Sequence, residues 1–155
     1  LVAAEARSRS AAYPVRIPWR LIQMFSVYGD TVLDPFLGTG TTLAAAAASA
    51  RNSIGVEVME ALHPGVDALV RHGAEMGAIW SQRRLQDHAR FLKEREAAEK
   101  PVRHFNEALG FPVMTRQESA LRFYRASTVV QADPNRWVIK HEPVAPLYEQ
   151  EVSHG

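Results

Sequence analysis

The sequence predicts an α/β fold: part of a doubly wound parallel sheet, followed by a helical and irregular C-terminal extension. Three observations predict it. Two short apolar, β-branched runs, 31–33 and 53–57, flank a glycine-containing loop and an alanine-rich stretch, the pattern of a strand–helix–strand unit. Apolar residues then recur at helical spacing from Glu60 to about Glu99. The 155 residues, 46% hydrophobic and 23% charged, suit about one domain with a core of its own.

Residues 1–12 are small and polar and read as loop. Tyr13-Pro14-Val15-Arg16-Ile17-Pro18 reads as extended, because each proline biases its predecessor away from the helical region. Pro18 suits the first turn of a helix. Trp19, Leu21, Ile22 and Phe25 recur at helical spacing, so an amphipathic helix is expected over 18–27. Gly29-Asp30 is a turn. Thr31-Val32-Leu33 is expected as a buried strand, 34–41 as a loop and 42–50 as a helix by alanine propensity. Arg51-Asn52 turns the chain into a second buried strand, 53–57. Leu62, Val66, Leu69, Val70, Gly73, Met76, Ile79 and Trp80 trace one face of a long helix. Leu85, His88, Phe91 and Leu92 continue it after a break near Ser81, and Pro101 ends it. Residues 111–114 read as a short extended segment and 118–125 as one or two helical turns. Val129-Val130 and Trp137-Val138-Ile139 flank the turn signal Asp133-Pro134-Asn135 and predict a hairpin. Trp19 and Trp80 are assigned to the core.

Composition excludes several chemistries. Without cysteine there is no disulfide framework, cysteine zinc site, iron–sulfur cluster or cysteine nucleophile. The histidines (His63, His72, His88, His104, His141, His154) include no pair at metal spacing with a third ligand, so no metal site is expected. No apolar run approaches the roughly 18 residues of a membrane span. Glu5, Arg7 and Arg9 interrupt any secretory signal, and a soluble cytoplasmic protein is expected. The chain begins with Leu1 rather than Met, which suggests a processed piece, a fragment or the tail of a longer protein. The formal net charge is +1. Between Ser81 and Arg125, ten Lys and Arg face six Asp and Glu. Such a basic stretch is compatible with nucleic-acid contact. Mixed charges at helical spacing, Arg83 and Arg84 among them, read more simply as a solvated face.

The strand–helix–strand unit carries the chemistry. Ligands of parallel sheets sit at the carboxyl ends of the strands, here Asp34 and Glu57. Between strand and helix runs Asp34-Pro35-Phe36-Leu37-Gly38-Thr39-Gly40-Thr41-Thr42. Two glycines one residue apart let the backbone turn tightly and approach a ligand, and the helix start offers unpaired N–H groups. Glu57, about 20 residues on, can accept hydrogen bonds from both hydroxyls of a ribose. Three cofactors compete. A nucleoside-triphosphate loop requires a lysine, and none lies near Gly38 or Gly40. A dinucleotide fingerprint wants a small residue where Leu43 stands, which disfavours NAD. S-adenosylmethionine remains, with a ribose carboxylate for its adenosine and backbone groups for its methionine part. Phe36 is divided between core packing and flanking the ligand.

Residues 34–42 resemble the cofactor motif of the N4-cytosine and N6-adenine DNA methyltransferases, Asp-Pro-Phe-x-Gly-Ser/Thr-Gly-Thr-Thr. Gly55-Val56-Glu57 resembles the family's next motif, whose acidic residue binds the ribose. Upstream, Ala11-Ala12-Tyr13-Pro14-Val15-Arg16-Ile17-Pro18 resembles, in divergent form, the segment that packs on the cofactor's methionine end. The family usually has His-Pro-Ala-x-Phe-Pro there; this chain has Arg9-Ser10 for His-Pro and Tyr13 for Phe. The resemblance covers about residues 9–60. It implies a Rossmann-like sheet of seven strands and site-specific methylation of an exocyclic amine in DNA, in a restriction-modification setting. It implies S-adenosylmethionine contacts at Asp34, Pro35, Phe36, Gly38, Thr39, Gly40, Thr41 and Glu57, with Tyr13 and Pro14. Residues 1–60 would then be the cofactor-binding portion, 61–100 its helical continuation and 101–155 a C-terminal extension. A segment like 9–18 directly before the glycine loop is typical of the circularly permuted β class, whose catalytic half lies N-terminal.

The family's amino methylation needs a polar–Pro-Pro–aromatic motif: the polar group accepts from the exocyclic amine and the aromatic ring stacks on the flipped base. No adjacent Pro-Pro occurs in this chain. Asp133-Pro134-Asn135-Arg136-Trp137 is the nearest imitation, and turn chemistry explains it. No catalytic residue is therefore assigned, and the resemblance implies an upstream or separate polypeptide segment that carries the motif. The tRNA guanine-N2 methyltransferases share a similar glycine loop but place Asp-Pro-Pro-Tyr after it, which disfavours that alternative. The competing class is a non-catalytic or split subunit that binds cofactor or DNA without turnover.

Overall fold

The computed structural model describes residues 13–144. The expectations for 1–12, including residues 9–12 of the upstream segment, lie outside the described residues. Helix α1 (Arg16–Phe25) leads into β1 (Thr31–Asp34), α2 (Thr41–Ala47) and β2 (Asn52–Gly55). A 3₁₀ segment (Glu60–Gly65) precedes the long helix α3 (Val66–Ala97). Then follow β3 (His104–Asn106), β4 (Phe111–Val113), a second 3₁₀ segment (Arg116–Ala120), β5 (Tyr124–Asp133) and β6 (Arg136–Pro143). The strands form three two-stranded sheets, β1–β2, β3–β4 and β5–β6. Two units result, one of residues 13–78 with 125–142, the other of 79–124 with 143–144. Helix α3 contributes to both.

In the first unit, β1 and β2 are parallel, from Thr31↔Asn52 to Asp34↔Gly55. The strands are not buried on both faces, as was expected. Val32 packs toward Ile22, Ala45 and Ala46, whereas Leu33 and Ile54 are 64% and 57% exposed. Side chains alternate across a strand, and among the described residues only the helical side of this sheet is covered.

Every residue of α2 is buried. Its alanines bring the backbone against α3: a Cβ on Gly73 would lie 2.6 Å from the Ala44 Cα, and one on Gly77 2.8 Å from the Ala48 Cα. The helix ends at Ala47, not at residue 50. The reason is Arg51, whose N–H reaches the Ala46 carbonyl at 3.1 Å. Its guanidinium donates to the Ser49 carbonyl (2.6 Å), the Ser26 carbonyl (2.7 Å) and the Ser26 Oγ (3.0 Å). Those bonds hold Ala50 at φ +55°, where the helix cannot continue.

Helix α1 starts at Arg16, so 13–18 is not extended throughout. Pro18 lies in the first turn, where its missing N–H has no intrahelical partner to lose. Packing of Val15, Trp19 and Ile22 onto Ala45 and Ala46 favours the earlier start. Nor does α3 break near Ser81. Ser81-Gln82-Arg83-Arg84 offers no proline or glycine to interrupt the helix.

The predicted hairpin forms, with Pro134 and Asn135 as its turn. It is bolted to the helices. Trp137 Nε1 donates to Asp67 Oδ1 at 2.6 Å, and Arg71 Nε bonds both Asp67 oxygens at 3.0 and 3.1 Å. Arg71 Nη1 reaches the Val129 carbonyl at 3.1 Å, and His141 Nε2 the Ala47 carbonyl at 2.8 Å. Arg71, then Trp137, hold the Asp67 carboxyl below its ordinary range.

The second unit closes on Leu85, Leu109, Phe111, Val113 and Phe123. Strands β3 and β4 are antiparallel. Asn106 is 0% exposed. Its amide donates to the carbonyls of Glu118 (2.7 Å) and Leu121 (2.8 Å) and accepts from the Leu109 N–H (2.9 Å). This capture of two carbonyls explains why 118–125 is not helical throughout: the 3₁₀ segment stops at Ala120 and the chain is a strand from Tyr124. Among the described residues no helix is long and apolar enough to cross a membrane.

Candidate functional site

The parallel pairing puts Asp34 and the residues after Gly55 at the same end of the sheet. The loop between β1 and α2 is stitched there by backbone bonds. Val56 N–H donates to the Asp34 carbonyl and Leu37 N–H to the Val56 carbonyl, both at 2.9 Å. Asp34 Oδ1 accepts from the Phe36 N–H at 3.0 Å, an Asx-type turn. Pro35 and Phe36 form the tip. Phe36 is 88% exposed, so of its two expected roles core packing is excluded in the described structure.

Gly38 and Gly40 take φ +57° and +96°, a region closed to most side chains. A Cβ on Gly38 would meet nothing within 4 Å, so space lies open against the loop. Gly40 caps the start of α2. The Thr39 and Thr41 hydroxyls stand 3.5 Å apart. Tyr13 OH lies 3.0 Å from Thr42 Oγ1, which ties the segment before α1 to the first turn of α2. Pro14 beside it is exposed, and its carbonyl accepts from the Ile17 N–H at 2.9 Å.

Glu57 joins the two halves of the site. Its Oε2 accepts from the Gly38 N–H and its Oε1 from the Met59 N–H, each at 2.7 Å. Met59 first, then Gly38, hold this carboxyl below its ordinary 4.5, because backbone N–H groups favour the ionised form. The glycine loop and the acidic residue thus meet in space.

A cavity of about 690 Å³ opens beside Glu57, within the usual range for small-molecule sites. Its lining runs from Asn52 along β2 to Glu57 and includes Leu37 and His63, with Asn135, Arg136 and Trp137 of the hairpin. His63 Nε2 lies 3.2 Å from the Glu57 carbonyl. Sequence reasoning did not find His63 or the hairpin residues. Asn135 follows Glu57 by 78 positions, and long-range attachments of the hairpin to the helices, Trp137–Asp67, Arg71–Val129 and His141–Ala47, bring it to the cavity. The conjunction of a polar turn with a tryptophan was the available signal.

Residues 4–66 match the DNA methylase family. The chain is 37% identical over 145 residues to the Type II methyltransferase M.MthZI of Methanothermobacter thermautotrophicus, covering 94% of this chain and 39% of that protein. It is 59% identical over 59 residues to M.MjaI of Methanocaldococcus jannaschii, covering 38% of this chain and 20% of the relative. Against M.BglI of Bacillus subtilis it is 51% identical over 47 residues, 30% of this chain and 14% of the relative. The chain therefore spans less than half the length of these curated relatives. No solved structure matches it.

Proposed function

The chain belongs to the N6/N4 DNA methylase family, and on that premise we propose that it is the S-adenosylmethionine-binding portion of a site-specific DNA methyltransferase acting on an adenine N6 or cytosine N4 amine. The observation that carries this reading is the Glu57 carboxylate, fixed by the Gly38 and Met59 N–H groups beside an open cavity that runs along β2 to Glu57. The residues present fit the cofactor. Glu57 offers the acceptor that a ribose diol needs, and Gly38 leaves room for close approach. In this reading Asp34 holds the loop closed, and Gly38, Thr39, Gly40 and Thr41 present backbone and hydroxyl groups to the ligand. Pro35 and Phe36 flank it, and Tyr13 and Pro14 lie toward its methionine end. When bound, S-adenosylmethionine supplies an electrophilic methyl group on a sulfonium. The sheet of this portion would be part of a Rossmann-like doubly wound sheet.

Catalysis in this reading draws on a further polypeptide segment, upstream or separate, that carries the Pro-Pro motif. Two features support such a segment: the exposed apolar face at Leu33 and Ile54, and a parallel sheet of two strands, an architecture that otherwise occurs covered on both faces. DNA is the substrate. The names of the relatives support a restriction-modification role, and the reading places the protein in the cytoplasm. The absence of a Pro-Pro dipeptide also favours, as a second reading, a split subunit that binds cofactor without turnover alone.

Calorimetric titration of S-adenosylmethionine into the chain tests the reading. Saturable binding that Asp34→Ala weakens is expected, because the carboxylate holds the Phe36 N–H in the turn that opens the loop. A folded protein that binds no cofactor, or an Asp34→Ala variant that binds like the parent, sinks it. Methylation restored by adding the Pro-Pro segment separates the enzyme from the split binding subunit.

A further inference from the structure

We infer that His63 is a positioning residue for Glu57: it clasps the Glu57 main-chain carbonyl and so holds the carboxylate where the cofactor meets it. The inference rests on the S-adenosylmethionine reading above. It goes beyond that reading, since His63 lies outside every motif that led to it.

The chain around Glu57 has little apolar packing to hold it. Val58 is 90% exposed and Met59 57%, and Glu60 and Ala61 are exposed as well. Val56 gives its N–H to the Asp34 carbonyl, and its own carbonyl accepts from the Leu37 N–H. Glu57 is held by polar ties of two kinds. Its carboxylate accepts from the Gly38 and Met59 N–H groups, each at 2.7 Å. Its main-chain carbonyl meets His63 Nε2 at 3.2 Å. A carbonyl only accepts, so Nε2 is the protonated nitrogen in this bond. The first ties fix the carboxylate oxygens against the loop. The His63 bond fixes the peptide from which the side chain springs.

His63 is itself held. It lies inside the 3₁₀ segment Glu60–Gly65, and its carbonyl accepts from the Val66 N–H. Val66 is buried and packs in the core with Leu43 and Val70. Pro64, next in the chain, has its φ fixed by its ring. The histidine thus carries the rigidity of the start of α3 to the end of β2. A group fixed before binding loses less freedom when the ligand arrives. His63 also lines the cavity, so direct contact with the ligand is the competing role.

Titration calorimetry of the full chain with S-adenosylhomocysteine, run as a cycle with Glu57→Ala, separates the two roles. Glu57→Ala removes the carboxylate and keeps the carbonyl that His63 holds. In the parent, His63→Ala is expected to weaken binding about fivefold, the effect of one ordinary hydrogen bond. His63→Gln keeps an N–H donor and is expected to restore most of that loss. In the Glu57→Ala background, His63→Ala is expected to weaken binding no further. Hydrogen exchange at the Met59 amide should quicken in His63→Ala and not in His63→Gln. An equal loss in both backgrounds assigns His63 to the ligand or to the fold and overturns the inference. So does a His63→Ala chain that binds like the parent or unfolds, or a His63→Gln chain no better than His63→Ala. Each of these leaves the cofactor reading standing. A parent chain that binds no S-adenosylhomocysteine overturns both.

Discussion

The two units solve the same problem of burying apolar side chains to different degrees. Residues 79–124 close a small core on themselves, and the fully buried Asn106 has its donors and its acceptor engaged. Residues 13–78 with 125–142 bury the whole of α2 yet leave Leu33, Ile54, Val56 and Val58 more than half exposed. Scattered apolar exposure is ordinary on a protein surface. Here these four lie on one face and at one end of a two-stranded parallel sheet, the end that holds the glycine loop, while Leu21, Met24 and Phe25 of α1 are exposed as well. The contrast teaches that the candidate site is built at the margin of its unit, where the sheet is least complete.

Asn106→Asp should break the closed unit most severely. The substitution replaces an amide donor with a carboxylate facing the Glu118 and Leu121 carbonyls. Leaving those acceptors unpaired and burying a charge costs about 3 kcal/mol or more. Urea unfolding followed by circular dichroism measures it. Cofactor binding should survive, since no residue of the glycine loop or of the Glu57 wall belongs to that unit. Loss of both together would show that the first unit depends on the second.

Gly73→Ala comes next and strikes the open unit at its best-packed point. The new Cβ meets Ala44 backbone, which belongs to a fully buried helix and cannot swing aside. Overpacking of this kind costs about 1–3 kcal/mol. Gly65→Ala is the control, for nothing lies within 4 Å of its added carbon, and a change within about 0.5 kcal/mol is expected. Equal melting temperatures for the two variants would refute the backbone contact between α2 and α3.

What could be read from the sequence follows the same division. The glycine loop, the parallel unit around it and the acidic residue at its far strand were legible because their signals are local: a β-branched run, paired glycines, an alanine stretch. The loop geometry and Glu57 came together as the spacing implied. The hairpin turn Asp133-Pro134-Asn135 was legible for the same reason. Strand β3 was not, since His-Phe-Asn is three residues without a period. Asn106 was not, since its partners lie 12 and 15 positions away. The end of α2 was misplaced because alanine propensity carries no knowledge of Arg51 reaching back to Ser26. The hairpin's place at the cavity depends on attachments such as Trp137 meeting Asp67, 70 positions apart, which no local pattern encodes.

Acid should act on the open unit through Glu57. Its carboxyl titrates below 4.5 in the folded chain because two backbone N–H groups hold the ionised form. The stabilisation is therefore fully present above the unfolded value and is lost as pH falls through the lower folded value. Hydrogen exchange at the Gly38 and Met59 amides should stay protected, after correction for intrinsic rates, down to about pH 4.5 and weaken below it. Glu57→Gln should remove that pH step. A step that persists in Glu57→Gln would assign the loop closure to another group.

The smallest effect on stability, and the sharpest on the comparison, belongs to Leu33→Thr combined with Ile54→Thr. Both positions face away from the helices and pair directly across the sheet. Threonine has the β-branched shape that strands favour and removes exposed apolar surface. Stability should change by no more than about 0.5 kcal/mol, as at surface sites generally. If this face receives a further segment of the methyltransferase, the isolated chain should self-associate through it at high concentration, since an exposed apolar patch seeks cover. The double variant should then sediment as a monomer where the parent does not. It should also restore less methylation when the Pro-Pro segment is added. A variant that is strongly destabilised, with unchanged sedimentation, would mean that this face is already covered and that the first unit is as closed as the second.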